Sequence, residues 1–190
     1  MAAQRIVSAL QQMAFPVAAK GYAAAVSRRI AEHLQIESAA PVLFLPRGPG
    51  REAGPVLIPL DGSRAAAAAI EPGMKAACAL SAEIVMLYVV PPLNGGASLL
   101  SQFTLAEVEA ALVGDALPAL SRSGVPYRVR IGTGLPVEEI LAAVERESAA
   151  LIAMSTRGRN AAAGSPLGQV AEEILSKTSV PLLLVPGAAQ

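Results

Sequence analysis

From Val56 onward, short uninterrupted apolar runs alternate with longer stretches of helical period. The runs 56–60, 84–90, 151–154 and 180–185 carry no charge, which predicts strands buried on both faces, as in a parallel sheet covered by helices. Residues 127–131 differ, because Tyr127, Val129 and Ile131 alternate with Arg128 and Arg130. That pattern predicts a strand with one wet face at a sheet edge. Between the runs, Val137, Ile140, Leu141 and Val144 fall at i, i+3, i+4 and i+7, with Glu138, Glu139, Glu145 and Arg146 on the other side of the wheel, a half-buried helix. Ser63 caps the first helix, and Pro72-Gly73 predicts a break near Glu71. Thr104 and Glu107 form a capping box ahead of Leu105, Val108 and Leu112. Val170, Ile174 and Leu175 mark the last helix.

Strand and helix therefore alternate five strands deep, and right-handed crossovers turn that order into an α/β fold: an open, doubly wound, five-stranded parallel sheet with helices on both faces. Ligands of such sheets bind beyond the carboxyl ends of the strands. Residues 54–190 make up this domain, and residues 1–53 form an N-terminal helical segment, a strand and a linker. The linker, 47–55, is too rich in Gly and Pro for regular structure.

Composition narrows the function. Lys plus Arg equals Asp plus Glu at 15 each and aromatic residues are 3% of the chain, which gives neither a field for nucleic acid nor rings for stacking on bases. The uncharged run 84–106 contains Pro91, Pro92, Gly95 and Gly96 and is no membrane helix. Gln11 and Gln12 interrupt the start before an export signal forms, so a cytoplasmic location is expected. Cys78, the single cysteine, lies among alanines and is expected in the core. With His33 the single histidine and no HExxH, GxSxG, CxxC or Walker A spacing, neither a catalytic centre nor a metal site is expected.

The candidate chemistry lies at the strand ends. Asp61-Gly62-Ser63 opens a helix, where free N–H groups and the helix dipole favour an anion and a carboxylate can accept from a sugar hydroxyl. The loop after the fourth strand runs through Ser155, Arg157 and Gly158 to Gly168-Gln169, and is long for such a fold. Backbone N–H groups, an Arg fork and a helix N-terminus suit phosphate.

Through the opening Val56-Leu57-Ile58-Pro59-Leu60-Asp61-Gly62-Ser63 and the closing Pro181-Leu182-Leu183-Leu184-Val185-Pro186, residues 54–186 resemble the universal stress protein family. Its ATP-binding members carry G-x2-G-x9-G-[ST] after the fourth strand. Ser155, Gly158, Gly168 and Gln169 occupy those positions here, so the two middle glycines match and the outer positions do not. The resemblance implies a non-catalytic stress-response protein that binds ATP or AMP weakly as a regulatory ligand. The implied site is Pro59, Asp61 and Ser63, Val89 and Met154 at neighbouring strand ends, then Ser155, Arg157, Gly158, Gly168 and Gln169. Restoring Ser155→Gly and Gln169→Ser together is expected to tighten ATP. The alternative is a nucleotide-free dimerisation module of the same fold; hydrolysis of bound ATP rests on family analogy alone.

Residues 30–34 and 41–46 can be laid on 170–174 and 181–186 without a gap, at an offset of 140. The N-terminus thus resembles the last helix and strand of a preceding, truncated tandem copy. The uncharged strand through Val180, Leu182 and Leu184 is expected at a sheet edge, where it makes a homodimer or a pseudo-dimer. Val42 to Leu45 is expected to pair with it antiparallel, within the chain or by exchange between chains.

Overall fold

A computed structural model describes residues 6, 8–10, 17–18, 40–46, 50–90, 110, 114–158 and 167–187. The elements are β1 (Val17–Ala18), β2 (Val42–Phe44), β3 (Val56–Leu60), α1 (Arg64–Ala67), α2 (Ile70–Leu80), β4 (Ile84–Val90), α3 (Leu117–Ser123), β5 (Tyr127–Thr133), α4 (Pro136–Arg146), β6 (Leu151–Ser155), α5 (Gln169–Lys177) and β7 (Leu182–Val185). The Thr104 capping box, His33 and the helix expected at 30–34 lie outside the described residues.

The sheet has the order β1-β2-β7-β6-β3-β4-β5. β3 to β7 form the expected five parallel strands, with β5 at one edge. The chain winds outward from β3 through β4 to β5, then returns to the other side of β3 for β6 and β7, so the winding reverses between β3 and β6. That reversal opens a crevice at their carboxyl ends. Beyond β7, β2 pairs with it antiparallel as expected, Leu43 opposite Leu183, and β1 extends the sheet by a strand that was not expected, pairing parallel with β2. The antiparallel pairing forms within the chain. β7 begins at Leu182, so Val180 precedes the strand although it is buried.

Alternating strand residues face two cores. Val56, Ile58, Met86 and Leu183 pack with α2 and with Leu120 of α3, while Leu57, Leu87, Ile152 and Leu184 pack with Ile140 and Val144 of α4 and Ile174 of α5. Continuous apolar strands are what a sheet covered on both sides requires.

Two local expectations are corrected. The first helix breaks before Glu71, between α1 and α2, and α2 runs straight through Pro72 and Gly73. Pro72 is the third residue of α2, where its missing N–H would have had no partner within the helix. Cys78 is exposed rather than buried, because Ala76 and Ala77 take the sheet-facing side of α2. The linker is pinned at its end: Arg51 Nη1 donates to Val144 O (3.0 Å) and Ala149 O (3.2 Å), and Nη2 meets Glu145 Oε2 at 2.5 Å. At the β5 edge Arg128 Nη2 donates to Glu83 at 3.0 Å, while Nη1 lies 2.6 Å from Glu147 as a charge contact without good hydrogen-bond geometry.

Candidate functional site

β3 delivers Asp61 to the crevice. Asp61 Oδ1 accepts from the Ser63 amide (2.9 Å) and the Ser63 hydroxyl (2.6 Å), and Ser63 Oγ accepts from Ala66 N (3.1 Å) as the cap of α1. This tight turn aims the second carboxylate oxygen across the crevice. At Gly158 an added Cβ would sit 2.5 Å from Asp61 Oδ2, so the two sides of the crevice meet there.

β6 delivers the opposite wall. Ser155 Oγ accepts from the amide of Arg157 at 3.2 Å. Buried Thr156 donates its N–H to Val185 O (2.8 Å), accepts at its carbonyl from Gly168 N (2.7 Å) and accepts at Oγ1 from Gly187 N (3.1 Å). Thr156 therefore ties the start of α5 and the end of β7 to the end of β6. Gly168 is the extended cap residue of α5, and the Glu172 amide is the one that bonds back to Gly168 O. The amides of Gln169, Val170 and Ala171 precede the helix ladder and stand at its positive end.

These elements enclose a cavity of about 290 Å³. It is lined by Pro59, Asp61, Val89 and Met154 from the strand ends and by Ser155, Arg157, Gly158, Gly168 and Gln169 from the loop and helix. The structure thus gathers the sequence-derived candidates around one cavity, with one correction. Ser63 lies on the other side of the β3 end, in a second cavity with Arg64 and Glu71, and its hydroxyl is used by Asp61 and Ala66. The sequence reading missed Thr156, Tyr88, Pro136 and Ile140. Ile140 carried only a core signal, and nothing local marks Thr156, since its partners come from β7 and α5.

The two departures from the glycine motif differ in physical content. Ser155 ends a strand in extended backbone, and positive φ among the described non-glycine residues is confined to Ser81 and Ser148. Position 155 therefore makes no conformational demand for glycine. Gln169, the first residue of α5, is exposed, and its Nε2 reaches Glu173 Oε1 only at 3.4 Å. The Glu173 carboxyl is held below its ordinary range first by the hydrogen bond from Lys177 Nζ (2.8 Å), then by the Lys177 charge. Among the described residues there is no cluster of three His, Cys, Asp or Glu side chains able to hold a metal, and no helix long and apolar enough to cross a membrane.

Comparison with known proteins agrees with this architecture. A universal stress protein of Methanocaldococcus jannaschii is 29% identical over 141 residues, covering 68% of this chain and 80% of its own. A universal stress protein of Archaeoglobus fulgidus solved in complex with dAMP aligns at a TM-score of 0.54 and 14% identity, covering 70% of this chain and 98% of its own. A second structure from Archaeoglobus fulgidus aligns at 0.60 and 20% identity over 87% of this chain but only 57% of its own. At these identities the two structures speak for fold alone. The universal stress protein family itself matches residues 53–186, spanning β3 to β7 and both walls of the crevice, and the chain belongs to that family.

Proposed function

We propose that this protein binds an adenine nucleotide, AMP or ATP, between Asp61 and the start of α5, as a regulatory ligand with no chemical step. The observation that carries the reading is the joint placement around one cavity of a carboxylate, a guanidinium, a side-chain-free Gly158 and the amino end of α5. Each suits one part of a nucleotide. The apolar Val89, Met154 and Ile140 offer a wall for a planar base, Asp61 an acceptor for a sugar hydroxyl, and Arg157 with the first amides of α5 a cradle for phosphate. The dAMP complex of the Archaeoglobus neighbour supports the same ligand class. A lone, exposed cysteine suits the reducing cytoplasm, which is the location we propose.

One observation favours a second reading, an interaction module that binds no nucleotide. Gln169 replaces the hydroxyl residue of the family motif, and the Ser155 hydroxyl is already engaged by the Arg157 amide. Denaturing the purified protein and chromatographing the supernatant, followed by calorimetry of stripped protein with AMP and ATP, separates the two. Released nucleotide or saturable heat supports the regulatory site. No nucleotide and no heat at millimolar ligand overturns it.

A further inference from the structure

We propose that Thr156 and Gly187 form a latch that positions the phosphate side of the cavity: the exit of β7, held on the Thr156 hydroxyl, fixes Ser155 and Arg157 in place for the phosphate of a bound nucleotide. The proposal rests on the nucleotide reading above and adds two positioning residues to it. Thr156 is 5% exposed, and two of its hydrogen bonds, to Val185 O and from Gly168 N, use its backbone and would form with any residue but proline. The third requires a hydroxyl side chain, since Oγ1 accepts from Gly187 N at 3.1 Å. Valine has the same branched shape and would fill the same place, so shape alone does not call for the oxygen.

Gly187 lies where both walls of the crevice come together. A Cβ added to it would stand 2.7 Å from Ser155 Oγ, 3.0 Å from Arg157 Cβ and 3.5 Å from Ala65 Cβ. Ser155 and Arg157 line the cavity, and Ala65 belongs to α1, the short helix that follows the Asp61 turn. Ser155 Oγ is also the acceptor that holds the Arg157 amide at 3.2 Å, so Gly187 packs against the group that orients Arg157 at its root. The root is where Arg157 needs support. Among the described residues it makes no ion pair, so no carboxylate fixes the far end of its side chain. A guanidinium held in this way gives most to an anion when its backbone is already in place, because ordering it on binding would subtract from affinity. The same residue reaches the amino end of α5, since Thr156 O accepts from Gly168 N at 2.7 Å. Thr156 thus joins both anion-facing groups of the site, Arg157 and the first turn of α5, to the exit of β7.

Calorimetry of the full-length chain with AMP and with adenosine, which differ by the phosphate alone, tests the latch. In Thr156→Val, AMP affinity is expected to fall by about tenfold or more, the equivalent of one lost hydrogen bond to a charged group, while adenosine affinity stays within about twofold of the parent. Thr156→Ser, which returns the oxygen, is expected to restore AMP binding. Gly187→Ala brings a carbon against Ser155 Oγ and Arg157 Cβ and is expected to repeat the selective loss with the Thr156 hydroxyl intact; it replaces the valine variant if that one does not fold by circular dichroism. Equal losses for AMP and adenosine, or no rescue by serine, would make Thr156 a purely structural residue and overturn the proposal. Folded variants that bind AMP as the parent does overturn it too, as does a parent that binds AMP no more tightly than adenosine and so has no phosphate side to position. A parent that binds neither ligand is a different failure: it removes the nucleotide reading itself, and the latch with it.

Discussion

Gly158 has no room for a side chain, because Asp61 Oδ2 lies 2.5 Å from the place a Cβ would take and Asp61 is itself held by two bonds from Ser63. Gly158→Ala must push either the carboxylate or the loop out of position. Adenine-nucleotide affinity is expected to fall at least tenfold by calorimetry, about 1.4 kcal/mol, with the fold intact by circular dichroism. Unchanged affinity would remove Asp61 and Gly158 from the site. The two altered motif positions are now expected to behave differently. Gln169→Ser places a hydroxyl at the first position of α5, and a hydrogen bond to a charged phosphate is worth about 1.5–3 kcal/mol. ATP binding is expected to tighten by roughly ten- to a hundredfold. Ser155→Gly gives no such gain, since the extended backbone there does not require glycine and the substitution deletes the bond to the Arg157 amide. A titration in which Ser155→Gly alone supplies the improvement would show this assignment to be reversed.

At the scale of elements, α2 lies close on the sheet because Gly73 faces it. A Cβ at that position would stand 2.6 Å from Ile58 Cδ1 and 3.2 Å from Ala153 Cβ, both in the buried core. Gly73→Ala gains about 1 kcal/mol of helix propensity and incurs overpacking of about 1–3 kcal/mol. A net loss of about 1 kcal/mol lowers Tm by roughly 2–4 °C in a chain of this size. A rise in Tm would mean that α2 can shift outward without cost. The break expected near Glu71 falls at residues 68–69, just ahead of it, because the proline sits within the first turn of α2 and the glycine serves close packing rather than chain reversal.

Across the whole molecule, ligand and fold are linked, since the cavity joins β3, β6 and α5 and exists only when the sheet is assembled. A nucleotide at a hundred times its Kd adds about 2.7 kcal/mol to stability, which corresponds to a rise of roughly 5–10 °C in Tm. Thermal unfolding with and without AMP measures it. A flat Tm at concentrations that saturate calorimetry would mean that the unfolded chain takes up nucleotide as well as the folded one, and so that no folded site is responsible for the heat.

The amino-acid sequence by itself determined the order of the elements, the buried character of β3, β4, β6 and β7, the wet edge at β5 and the two loops that form the crevice. Hydrophobic period and capping residues act over a few neighbours, so those features are written locally: Val56 to Leu60 cannot be other than buried, and Ser63 caps whatever helix follows it. The internal repeat even carried the pairing with β7, which the structure forms over Val42 to Phe44 of the expected Val42 to Leu45. The tertiary structure alone decided what depends on groups brought from far along the chain. It turned Ser63 away from the cavity, exposed Cys78, moved the helix break ahead of Glu71, and gave Thr156 its partners in β7 and α5. It also set the register that places Leu43 opposite Leu183. Each follows from which face meets which neighbour, a choice made by packing at long range that no local pattern of polar and apolar residues encodes.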